Sequence, residues 1–304
     1  VVSVLTFQAY NLWGGADLYN PASGRATVVT LARPYLDEAG LGLWDRGDGR
    51  ILAWLQRRGF ALQFTTDYDL ALSPPSVAPR LLILGRHTEY VPGGLRDWVE
   101  RHVDGTGDMN VLNFGANAFY WRARLQVPPG SSAAIDLACY RSLASDPGAS
   151  ANPADATVRW RDAPIDRPEG ALLGAEYAGI IDAGTKRYDF QVAQGIPPAL
   201  LAGTGWGPGT ILRGLLRGEG DDLYPGVGAT AVMTGVAFGR VGQLLHLSAT
   251  IRTSPVGARI FDAGTFAWSD GLDPAIVNLG VPPGSFDWFT DHILAWLGMS
   301  PPRP

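Results

Sequence analysis

Leu81-Leu82-Ile83-Leu84-Gly85-Arg86-His87-Thr88-Glu89-Tyr90 is the stretch whose reading decides the fold. An apolar run of strand length stops at a glycine and passes straight into a histidine, a glutamate and a tyrosine. Further along, Val111-Leu112-Asn113-Phe114-Gly115-Ala116-Asn117-Ala118-Phe119-Tyr120-Trp121 repeats the pattern. Between them, residues 95–103 carry Leu95, Trp98 and Val99 at helical spacing. Strand, helix and strand in that order predict a parallel βαβ crossover. Open parallel sheets bind ligands at the carboxyl ends of their strands, so both polar clusters are expected side by side on one rim.

Outward from this block, residues 1–10 predict a strand leading into an aromatic loop that turns at Gly14-Gly15. Residues 26–32 and 60–64 predict further strands, and 67–70 a loop. Residues 51–59 have apolar positions at helical spacing, a basic last turn and a terminal glycine, which mark a helix and its stop. The segment 140–225 is rich in Gly, Pro, Ala and Asp, and is expected to be a β-rich, loop-rich insertion. The strand-and-helix pattern returns at 243–250 and 258–265 and closes with a helix over 286–298. The expected architecture is α/β: a mostly parallel sheet flanked by helices, built from 1–139 and 226–300. The Pro-rich tail 301–304 is expected to fray.

Composition narrows the function. The chain has 304 residues, 46% of them hydrophobic, enough for a well-packed core. A net charge of −5 argues against nucleic acid as a partner, because phosphate binding needs clustered cations. No apolar run approaches the roughly 18 residues of a membrane span. Val1 in place of Met marks a chain that is processed, trimmed or part of something longer, and the opening residues lack the basic flank of a signal peptide. Cys139 is the only cysteine, so no disulfide, zinc finger or iron–sulfur cluster is expected. A lone cysteine leaves the compartment open, with a cytoplasmic chain expected over a secreted one.

Several side chains carry chemistry, each with a plainer reading beside it. His87 and Glu89 past a strand end could do general acid–base work or orient a water. Equally, His87 could cap a neighbouring loop while Glu89 pairs with an arginine. Tyr90 is a candidate metal ligand or hydrogen-bond donor. Asn117 follows a Gly-Ala turn, where its amide could support an oxyanion or simply make the turn. Tyr10, Trp13, Tyr120 and Trp121 could wall a substrate pocket or pack as core under loops. Asp262 and Thr265, after a late strand, could join the same rim. His102, His246 and His292 have no such company and are read as structural. The turn Gly85-Arg86-His87-Thr88 holds no cysteine or serine, so covalent thiol or hydroxyl catalysis at that elbow is not expected.

His87-Thr88-Glu89-Tyr90 and Gly115–Arg122, with Tyr10–Gly15, Asp146-Pro147, Trp160-Arg161 and Phe261–Ser269, resemble a known family over roughly residues 5–297. It is the family of C-terminal domains like that of the N,N-dimethylformamidase large (beta) subunit. The resemblance implies a core similar to class I glutamine amidotransferases, or more broadly flavodoxin-like. It also implies amide hydrolysis at a mononuclear iron held by two tyrosines and a glutamate. Tyr90 falls on one tyrosine position, but the other falls on Arg50. The glutamate position falls near Trp160-Arg161, where Asp155, Glu169 and Glu176 are the acids at hand. A guanidinium cannot stand in for a phenolate ligand, so the iron site reads as incomplete. The expected function is a hydrolase of an amide or other C–N bond, with water activated by His87, Glu89 and Tyr90, directly or on a metal. Asn117 would support the oxyanion. The alternative is a non-catalytic ligand-binding or assembly module on a degenerate scaffold. The expected partners are a small-molecule substrate and either a second copy of the chain or an accessory subunit, with no nucleic acid and no membrane.

Overall fold

A computed structural model describes residues 1–20, 24–35, 47–182 and 186–300; the tail 301–304 lies outside them. Its strands are β1 (Val28–Thr30), β2 (Leu81–Leu84), β3 (Tyr90–Pro92), β4 (Asn110–Asn113), β5 (Trp121–Gln126), β6 (Asp136–Ala138) and β7 (Ala175–Ile180). They continue with β8 (Tyr188–Val192), β9 (Ile211–Leu216), β10 (Glu219–Leu223), β11 (Thr230–Phe238), β12 (Leu244–Thr253) and β13 (Arg259–Asp262). They form a seven-stranded sheet in the order β2-β4-β13-β12-β11-β8-β9, a four-stranded sheet β1-β6-β5-β3, and the pair β10-β7.

The crossover expected from the opening stretch is present. β2 and β4 are parallel neighbours, with Leu84 opposite Asn113, and the helix Gly93–Glu100 lies between them in sequence. β13 adds a third parallel strand beside β4. Apolar side chains cover both faces of this trio. Leu82, Leu84, Val111 and Ile260 pack with Leu95, Trp98 and Val99 on one side. Leu112 and Phe261 pack with Trp54, Phe289 and Leu294 on the other.

Beyond the trio the expectation of a mostly parallel, amidotransferase- or flavodoxin-like sheet fails. β12 runs antiparallel to β13, β11 to β12, β8 to β11, and β9 to β8. The reason is connection length. A parallel neighbour needs a long crossover, whereas β12 reaches β13 through the short loop 254–258, which can only close a hairpin. In that loop Ser254 and Ala258 exchange bonds: Ser254 N donates to the Ala258 carbonyl at 2.7 Å and Ala258 N to Ser254 Oγ at 3.0 Å. The segment 140–225 supplies β7 to β10, of which β8 and β9 extend the large sheet.

The start of the chain is also corrected. Val4–Ala9 is a helix rather than a strand, and it is buried almost all round. Its sequence alternates like a strand, but its first turn is capped from a distance: both Asp67 carboxylate oxygens accept from Leu5 N at 3.1 Å. A carboxylate at a helix N-terminus satisfies amides that the helix itself cannot. Residues 67–72 are likewise a helix, with Thr66 Oγ1 accepting from Asp69 N at 3.0 Å, and 60–64 form no strand. Tertiary partners, not local pattern, decide these segments.

Two glycines let main chain close on main chain at the strand ends: Gly115 brings the loops after β4 and β2 together, and Gly264 seats the loop after β13 against β12. A Cβ on Gly115 would lie 1.8 Å from the Arg86 carbonyl oxygen. Gly264, at φ +61°, would place one 2.0 Å from the Ser248 carbonyl oxygen. Backbone cannot yield as a flexible side chain does. Gly115→Ala is therefore expected to cost about 3 kcal/mol or more, at the upper end of overpacking. Thermal denaturation should show Tm lowered by roughly 5 °C or more, or no soluble protein at all.

Candidate active site

The loops leaving β2, β4 and β13 meet β10 at the carboxyl end of the parallel trio, and the candidate residues gather there. The loop after β2 is pinned by the first helix: Thr6 Oγ1 accepts from Glu89 N at 3.0 Å and from Tyr90 N at 3.2 Å. Ser3 Oγ and Thr88 Oγ1 lie 2.8 Å apart. These bonds turn His87 and Glu89 inward, and each is only 3% exposed.

His87 sits between two carboxylates. Its Nε2 is 3.4 Å from Glu89 Oε2 and 3.5 Å from Glu219 Oε2, ion-pair contacts too long or poorly aligned for hydrogen bonds, and neither ring nitrogen has a hydrogen-bond partner. Tyr10 OH donates to Glu89 Oε2 at 2.7 Å, and Asn117 Nδ2 to Glu219 Oε2 at 2.7 Å. Burial opposes a charge on His87, but the Glu219 and Glu89 carboxylates outweigh it and hold the imidazole above its usual range. Burial raises Glu89 to about 7, with His87 opposing the rise and Glu219 adding to it. Burial and the carboxylates of Glu89 and Glu219 push Tyr10 well above 10, so it stays a phenol and a donor. A buried imidazole held above its usual range, in contact with a carboxyl raised to about 7, suits proton transfer.

A second buried acid pair lies directly behind. Asp221 Oδ1 accepts from Asn117 N at 2.8 Å, while Asp262 accepts from Asn113 Nδ2 at 2.9 Å and from Gly264 N at 2.8 Å. Burial, then the charge of Asp262, raises Asp221 far above its usual range, and burial raises Asp262 to about 7. Two adjacent buried carboxyls cannot both ionise cheaply, so this pair retains a proton.

The remaining candidates divide. Asn117, at φ +55°, makes the turn and braces Glu219 and Asp221 at once, so the amide offered to an oxyanion already serves Glu219. Asp262 is wholly buried, behind the rim rather than on it. Trp13 is 45% exposed on its own loop. Tyr120 and Trp121 stack edge-on at 5.0 Å, and Tyr120 also stacks on Tyr177 at 4.9 Å. Glu219, Asp221, Tyr177 and Phe266 were not legible as site residues, although Phe266 lies 4.6 Å from the His87 ring. The available signal was Glu219-Gly220-Asp221-Asp222, where acids two apart on a strand share one face. Cys139 is buried, and its thiol is pushed up to about 12 by that burial, far from a nucleophilic thiolate.

The residues do not fit the iron site that the resemblance implies. Tyr90 is wholly buried, and its oxygen accepts from Arg141 Nη2 at 2.6 Å. Burial and the neighbouring Glu89 charge raise it well above 10, which disfavours a phenolate ligand. Arg50 pairs with Asp270, Asp155 with Arg122, and Glu169 and Glu176 with Arg161. Among the described residues, no group of three or more His, Cys, Asp or Glu could hold a metal ion.

The chain is of a dimethylformamidase-related kind: residues 1–280 match the family model described as N,N-dimethylformamidase beta subunit-like, C-terminal. It belongs to that family. No curated protein matches it.

Two outcomes follow from this geometry. Purified protein should be colourless, without stoichiometric iron, and Tyr90→Phe should leave its metal content unchanged; a visible tyrosinate–iron band lost in that variant would overturn the assignment. Glu89 also gives a pH dependence of stability. Its folded pKa lies above its ordinary 4.5, so its contribution is fully present below pH 4.5 and is lost as pH rises through about 7. Melting scans across that window should show Tm falling with pH, and falling less in Glu89→Gln.

Proposed function

We propose that this chain hydrolyses an amide or another C–N bond, with His87, Glu89 and Glu219 as its proton-handling centre. The observation that carries the reading is the buried imidazole held 3.4 Å and 3.5 Å from two carboxylates. Glu89 as carboxylate takes a proton from the attacking water, and Tyr10 orients its second function by donating to Oε2. The water oxygen bonds to the amide carbon. As the C–N bond breaks, the departing nitrogen takes a proton from the Nε2 of imidazolium His87. Glu219 favours that imidazolium and is itself held by Asn117. Protonated Glu89 then returns its proton to the His87 Nε2 3.4 Å away, acid and product amine leave, and one water is consumed. The beta subunit-like family supports assembly with a second chain, either an accessory subunit or another copy.

One observation favours a second reading, a binding or assembly module. The cluster is closed to solvent, and the described cavities lie elsewhere. One of about 830 Å³ is lined by Ile51, Leu55, Phe60 and Leu81, and one of about 690 Å³ lies against Phe190, Val236 and His246.

Turnover of a panel of small N-substituted amides distinguishes the two. Removing a general acid or base typically costs about a hundredfold or more in rate, and His87→Ala and Glu89→Gln should each lose that much kcat while remaining folded. Unchanged rates in both variants would end the assignment, and no turnover of any amide by intact protein would favour the module.

A further inference from the structure

The seven-stranded sheet ends at β2, which pairs only with β4 among the described residues. Residues 60–65, which form no strand, line a cavity of about 830 Å³ together with residues 81–83 of that edge strand. Its walls are apolar: Ile51 and Leu55 from the helix Gly49–Arg57, Phe60 and Leu62 from the segment without a strand, and Leu81 and Ile83 from β2. The last four pack on the main core yet stay only partly buried. Alternation along β2 explains this: Leu82 and Leu84 are buried with the helix Gly93–Glu100 on one face, so Leu81 and Ile83 face the other. Apolar walls around a few hundred Å³ with few polar groups suit a small organic molecule.

One carboxylate sets the chemistry of that molecule. Asp48, 7% exposed, lines the cavity beside Gly85. Gly85 makes room for it, because a Cβ there would lie 2.6 Å from each carboxylate oxygen. Asp48 Oδ1 accepts from Arg86 N at 2.6 Å, but Oδ2 is buried with no hydrogen-bond partner among the described residues. Burial raises this carboxyl above its usual range, with the Arg86 N–H opposing the rise. Two other charged groups line the cavity, but Arg80 is exposed and Val1 N donates to the Ile83 carbonyl at 2.7 Å, so neither serves Oδ2. An acceptor buried without a partner carries its full desolvation cost. An N–H donor arriving from the cavity removes that cost, whereas a second anion would add to it.

We propose that this cavity binds a small apolar molecule with one N–H-donating head, ammonium or amide, which pairs with Asp48 Oδ2. The site is separate from the His87 cluster and stands whether or not the chain hydrolyses a C–N bond.

The test is calorimetric titration of intact protein, near neutral pH, with 4-phenylbutylamine, 4-phenylbutanamide and 4-phenylbutanoate, which share one apolar body and differ in the head. At least one N–H probe should bind saturably, and about tenfold or more tighter than the butanoate, since a hydrogen bond to a charged group is worth that much. Asp48→Asn keeps an acceptor for Arg86 N but turns the other oxygen into a donor, so the bound N–H probe should weaken about tenfold. Ala61 is exposed on the cavity wall, and Ala61→Trp should fill the space and weaken every probe that binds, in a protein that still folds. That variant locates the binding here rather than at His87, and it keeps the test open if Asp48→Asn fails to fold. Amine preferred over amide identifies a cationic ligand, and the reverse a neutral one. No saturable binding of either N–H probe, or affinities unmoved by Ala61→Trp, overturns the site. Butanoate bound as tightly as the N–H probes, or affinities unmoved by a folded Asp48→Asn, overturns the pairing with Asp48. Probe binding without hydrolysis of any amide leaves the site standing and removes only the hydrolase reading.

Discussion

The structure depends on main chain meeting main chain at the carboxyl end of β2, β4 and β13. Gly115 sits against the Arg86 carbonyl and Gly264 against that of Ser248, with no room for a side chain at either contact. Because the first two loops touch each other and the third is seated on β12, the residues that follow them are forced into one space. His87 and Glu89 come from the first loop, Asn117 from the second, Phe266 from the third, and β10 closes the far side with Glu219 and Asp221. The buried charges then become mutually dependent. Each carboxyl is held by a phenol, an amide, a backbone N–H or the imidazole, and burial without such partners would cost far more than these contacts return.

How much of this was readable follows from distance along the chain. The βαβ crossover, and with it the adjacency of the two strand-end loops, rests on local signals: apolar runs, helical spacing and a stopping glycine. Those signals are contained within residues 81–121. The antiparallel remainder rests on the 254–258 hairpin, whose flanking segments look the same whether the chain turns back or crosses over. The helix Val4–Ala9 hid for a related reason, since its cap is Asp67, remote in sequence. The site divided along the same line. His87, Glu89, Asn117 and Tyr10 lie in or beside recognisable turns, whereas Glu219 and Asp221 lie in a segment whose composition resembles loop, and only pairing with β7 reveals their shared face.

Arginine takes over much of the cationic work in this chain. Arg141 holds Tyr90, Arg161 holds Glu169 and Glu176, and Arg50 holds Asp270. At each position that the resemblance marked for an iron ligand, a guanidinium is either the partner or the residue itself. That is a different solution to placing positive charge beside buried oxygens: permanent, covalently attached, and directional through its donor fork.

The leading helix offers a practical lesson. Thr6 and Tyr10 make it one wall of the buried His87 cluster, not a removable lead-in. Anyone shortening the chain from its front to aid crystallisation would delete the phenol that donates to Glu89 and the hydroxyl that holds the Glu89 and Tyr90 amides, and would leave a buried carboxyl without its neighbour.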